Sequence, residues 1–83
     1  MSRKQGVVPA TLDDAHDVLR RQQPAKDADP QKWVAFHRHS AHVYEQTSKV
    51  DLRHKYEALQ CAGLEIRKAR DIEDRLNPEG DDE

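Results

Sequence analysis

Leu52, Leu59 and Ile66 recur at seven-residue intervals, and Ala62, Ala69 and Leu76 repeat the same interval on an adjoining line. A seven-residue apolar repeat marks an α-helix that meets another helix along a seam. Alanines in the second line let that neighbour approach closely. The series are broken by charge at Lys55 and Glu73, so the seam is short. The spacing predicts a helix over about 51–76, ended by Asn77-Pro78. Near its end Arg67–Asp71, Arg70–Asp74 and Asp71–Arg75 are spaced four apart, as in helix-supporting ion pairs.

Two further helices are predicted upstream. Thr11 is a good N-cap, with Asp14 in the capping-box position, and Pro24 stops the helix that follows. Leu12, Ala15 and Leu19 supply its narrow apolar stripe. After a linker at 24–29, Asp29-Pro30 opens a second helix: a capping carboxylate, then proline where its missing N–H costs nothing. It is expected to run to about Ser48. On a helical wheel Trp33, Phe36, Val43, Tyr44 and Val50 share one face with His37, Ser40, Ala41 and Thr47. Arg38, His39, His42, Glu45, Gln46 and Lys49 fall on the other.

No glycine or proline lies between Pro30 and Gly63, so only phase separates the second helix from the third. The second repeats on Phe36, Val43 and Val50, whereas the third restarts on Leu52, two residues later. A break at Ser48–Asp51 is therefore expected, with Asp51 capping the new helix. The result is an all-α, three-helix unit at 11–76, in which a short first helix lies against a longer antiparallel pair. Residues 1–10 read as a flexible arm and 77–83 as a disordered acidic tail.

Composition limits the core. Leu, Ile, Val and Phe make up 15 of 83 residues, close to the level at which chains cease to fold when net charge is high. The net charge is only −2, however, and the apolar residues keep helical spacing. Four carboxylates at 79–83 outweigh that whole net charge and leave the remainder at +2, too small for a nucleic-acid footprint. Cys61 is the only cysteine, which rules out an internal disulfide. The apolar run near the N-terminus, Val7-Val8, is far shorter than a signal-peptide core or a membrane span, and the expected location is the cytoplasm.

Five histidines are the most unusual compositional feature. His39, His42 and Glu45 follow one another at three-residue steps and are the candidate metal ligands. They form no HExxH or similar motif, and exposed polar side chains are the plainer reading; no metal or other cofactor is expected. Cys61 and His54 form the one nucleophile–base pair on a single helix. Seven residues put them about 10 Å apart along its axis, beyond contact. Glu45, Glu57 and Glu65 are expected outside the packed face, so no carboxylate pair is placed for acid–base work. The chain is not expected to be an enzyme.

Two surfaces remain. Trp33, Phe36 and Tyr44, together with the Leu52, Leu59 and Ile66 seam, are more apolar surface than so short a first helix covers. They predict a non-enzymatic helical protein–protein interaction module that associates with itself, as a homodimer, or with another protein. Lys49, Arg53 and Lys55, close to His54, form a basic corner. It supports the alternative of a small accessory transcriptional regulator touching DNA phosphates.

The stretch 33–69 also resembles a family of short uncharacterised actinobacterial proteins. The resembling residues are Trp33, Arg38, Ser40-Ala41, Val43-Tyr44, Val50-Asp51, His54, Glu57-Ala58-Leu59, Ala62-Gly63 and Glu65. The resemblance implies a bacterial origin and no known activity, and it adds no site residue.

Overall fold

A computed structural model describes residues 8–77; most of the arm at 1–10 and of the acidic tail at 77–83 lies outside the described residues. Three α-helices follow in order: α1 (Leu12–Arg21), α2 (Pro30–Val50) and α3 (Lys55–Leu76). A 3-10 turn, Leu52–His54, joins α2 to α3, which pack antiparallel, and α1 lies against α2. This is the all-α, three-helix arrangement that capping and periodicity predict.

The local start signals act as expected. Thr11 Oγ1 accepts a hydrogen bond from the Asp14 amide at 3.1 Å, and Asp29 Oδ1 accepts one from the Gln31 amide at 3.0 Å. Pro30 takes the first position of α2. The break between α2 and α3 comes at Asp51, where the apolar phase changes.

Asp51 itself behaves differently from its expected role. It does not cap α3, which begins at Lys55, four residues later, with no side-chain cap. Instead Asp51 Oδ2 accepts a hydrogen bond from the Leu12 amide at 2.9 Å, capping α1 from across the fold, and lies 2.9 Å from His54 Nδ1. The α1 N-terminus presents unsatisfied N–H groups and a positive dipole end, so a carboxylate from the neighbouring turn is a strong ligand for it.

Between α2 and α3 the buried side chains are small. Ala58, Ala62 and Ala69 are the buried residues of α3, and α2 buries Ser40, Ala41, Thr47 and Ser48 along with Val34 and Tyr44. A hydroxyl inside a helical interface must find a partner, and these find one within their own helix. Ser40 donates to the Phe36 carbonyl at 2.8 Å, Thr47 to Val43 at 2.8 Å and Ser48 to Glu45 at 2.6 Å. Among the described residues no buried side-chain polar atom lacks a partner.

Polar bonds between elements supplement this thin core. Arg38 and Glu73 pair at 2.7 Å between the first half of α2 and the last turns of α3. Trp33 Nε1 donates to the Ala25 carbonyl at 3.0 Å and pins the 22–29 linker to α2. The three pairs expected within 67–75 are not closed among the described residues: Asp71 and Asp74 remain exposed in water, where an ion pair gains little.

Two outcomes are expected. Replacing fully buried Ala58 by Leu should overpack the α2–α3 contact and cost about 1–3 kcal/mol in urea unfolding, while Tyr56→Ala stays within about 0.5 kcal/mol. The bond from the Leu12 amide, and then that to His54, holds the Asp51 carboxyl below the ordinary aspartate range. Its stabilisation of docked α1 is therefore present above that range and is lost as pH falls through the lowered value. Hydrogen exchange should show α1 amides losing protection first on acidification, and in Asp51→Ala already at neutral pH. Equal loss in all three helices would contradict this role.

Candidate functional site

Two regions of the fold gather functional side chains. The first is a cleft of about 220 Å³ at the junction of α1, α2 and α3, lined by His16, Arg20, Phe36, His37, Tyr44 and Glu65 among others. His16 Nδ1 lies 2.7 Å from the Tyr44 hydroxyl, with the two rings edge to face at 5.4 Å. His37 Nδ1 lies 2.7 Å from Glu65 Oε1, whose other oxygen accepts from Lys68 Nζ at 3.2 Å. These bonds join α1 to α2 and α2 to α3.

Glu65 is a correction to the sequence reading. It is mostly buried rather than outside the packed face, because its edge of α3 turns towards the cleft and His37 satisfies the carboxylate. Sequence spacing carried no signal for this contact, which spans 28 residues.

Burial pushes the Tyr44 hydroxyl up to about 12, with the charges of Cys61 and Glu65 adding to the rise. The Cys61 thiol is raised as well, first by burial, then by Glu65 and Glu57. A thiol raised in this way is mostly protonated near neutral pH and is a poor nucleophile or metal ligand. His39, His42 and Glu45 are all exposed along the outer face of α2. Among the described residues no three or more His, Cys, Asp or Glu side chains are placed to share an ion.

The second region is the outward face of α3. Tyr56 is 80% exposed and Leu59 41%, three residues apart on one side of α3, and Leu52, in the 3-10 turn before the helix, is 71% exposed. Ile66 is half-buried and touches the core cluster, so the expected seam is divided between inside and outside. Nothing lies within 4 Å of the position a Cβ would take at Gly63, one turn beyond Leu59. Val50, at the end of α2, is 54% exposed.

The aromatic half of the predicted surface is largely used internally. Tyr44 is buried beneath α1, while Trp33 and Phe36 are half-buried and meet edge to face at 5.7 Å. Lys49, Arg53 and Lys55 are exposed at the α2–α3 turn, and among the described residues none forms an ion pair with a carboxylate. Among those residues, no helix is long and apolar enough to cross a membrane.

The raised thiol has a direct readout. Folded Cys61 should react with an aromatic disulfide reagent more slowly than the urea-unfolded chain at pH 7–8, and the midpoint of its rate–pH profile should lie higher. Equal rates in the two states would remove the burial argument.

Comparison with family models, with curated proteins and with solved structures finds no match for this chain.

Proposed function

We propose that this chain is a cytoplasmic, non-enzymatic helical protein–protein interaction module that associates with itself through the outward face of α3. The observation that carries the reading is an inversion of size. Alanines fill the α3 side of the core, while Tyr56 and Leu59 on the same helix and Leu52 in the 3-10 turn before it stand in water. Soluble domains expose single apolar side chains freely, but a row at helical spacing is the geometry by which one helix meets another.

Burying a large apolar side chain gains about 1.5–3 kcal/mol, and a symmetric pair buries each member of the row twice. Association costs about 4–15 kcal/mol in lost rigid-body freedom, so pairing through a row of three calls for near-complete burial of each member.

The exposure of Lys49, Arg53 and Lys55 supports the second reading, a small accessory transcriptional regulator contacting DNA. A fluorescence-anisotropy titration at low salt tests it, and binding unaffected by Lys49→Glu with Arg53→Glu would end it.

For the leading proposal, light scattering at hundreds of micromolar should give a mass above the 9.6 kDa of one chain. Leu52→Lys and Tyr56→Lys should each raise the dissociation constant about tenfold or more without altering helix content, since neither side chain supports the monomer fold. A chain that is monomeric throughout that range overturns self-association.

A further inference from the structure

We infer that the cleft at the junction of the three helices is a binding site for a compact organic acid, a carboxylate joined to an apolar body the size of a benzene ring. None of Leu52, Tyr56 and Leu59 lines this cleft, so the inference does not rest on self-association.

Volume and lining limit the ligand. At about 30 Å³ for each water molecule, the 220 Å³ of the cleft holds about seven waters, room for an acid of roughly that many heavy atoms or slightly more. Leu19 and Phe36 are its apolar lining, and the other side chains that line it are polar. A small molecule with one apolar and one charged end suits that division.

The hydrogen bonds already made decide what the polar side chains still offer. A carboxylate only accepts, so the 2.7 Å contact with Glu65 places a proton on His37 Nδ1. The Tyr44 hydroxyl, pushed up to about 12, keeps its proton at neutral pH, and among the described residues its one partner is His16 Nδ1. The hydroxyl therefore donates to that nitrogen, and the neutral His16 ring carries its own proton at Nε2. Among the described residues neither Nε2 atom has a partner, and no buried side-chain nitrogen lacks one, so both reach solvent. His16 thus offers a donor. His37 offers a lone pair that a carboxylic acid fills with its own proton, or, once the ring is charged, a second donor.

Charge favours the acid as well. Arg20 and Lys68 line the cleft against one carboxylate, Glu65, whose oxygens are already taken by His37 and Lys68. Asp17 lies outside the lining and is shared between Arg20 at 3.3 Å and Arg21 at 3.6 Å. Arg20 and Lys68 are exposed and use one N–H each in these pairs, which leaves the rest of each head group for a ligand.

A ligand in the cleft meets all three helices at once: His16 and Arg20 belong to α1, Phe36 and His37 to α2, Glu65 and Lys68 to α3. Release of α1 dismantles the site, so an occupant holds α1 to the hairpin.

Benzoate is the probe. Titrated to about 10 mM, it should shift the His16, His37 and Tyr44 ring signals saturably in NMR spectra. Benzyl alcohol, which lacks the charge, and inorganic phosphate, which lacks the ring, should bind at least about fivefold more weakly. With benzoate at nine times its dissociation constant, α1 amides should exchange about tenfold more slowly. Arg20→Gln and Lys68→Gln should each weaken binding about fivefold without altering helix content, whereas Arg70→Gln, on the opposite side of α3 by helical spacing, should not. No saturable shift, or α1 exchange unchanged at saturation, overturns the inference. Phosphate binding as tightly as benzoate, or an equal loss in all three variants, means general attraction of anions and overturns it too.

Discussion

The contact between α2 and α3 along a line of small side chains is the constraint from which the rest of the structure follows. Ala58, Ala62 and Ala69 offer little volume, so the helices must come close for any atoms to touch. Ser40, Thr47 and Ser48 suit such an approach because each hydroxyl is satisfied by a carbonyl of its own helix and needs nothing from the other side. An interface of this type holds two helices in place while burying modest apolar area.

That economy shifts weight onto polar connections at the edges. Arg38–Glu73 and His37–Glu65 fix the relative position of α2 and α3 at two levels, and the Trp33 indole holds the linker that leads from α1. The first helix depends most on such support. Ten residues are too few for an isolated helix to persist in water, and α1 buries only Ala15 and Leu19. The Asp51 carboxylate at its N-terminus and the Tyr44 hydroxyl beside His16 fasten it at both contacts with the hairpin. Asp51 thus couples the α2–α3 turn to α1, its side chain bonding Leu12 and His54.

How far the sequence foretold this architecture depends on the range of each interaction. Thr11, Asp29-Pro30 and the phase change near Val50 act within one or two turns, and the helices they delimit lie where those signals put them. Asp51 capping α1 and Glu65 turning inward to His37 depend on residues 39 and 28 positions away, which no local pattern encodes. The seven-residue repeat lies between these cases. It identified the helix and its two lines of apolar residues, yet both lines share one period, and periodicity alone does not say which faces the neighbour. Packing against α2 selects the alanines and turns Leu52 and Leu59 outward.

That selection ties fold to function. A helix pair that chose Leu52 and Leu59 for its inner contact would have a larger core and an outer face of small residues with little to offer a partner. With the alanine line inside, a chain of 83 residues keeps its bulkiest α3 side chains for a second surface. Domains of this length already leave a large part of their surface in water. Exposure of that row is a standing cost to the monomer in solubility, which the proposed pairing would relieve. Core composition and exposed row thus act through one stretch of chain, and what the core takes decides what the surface keeps.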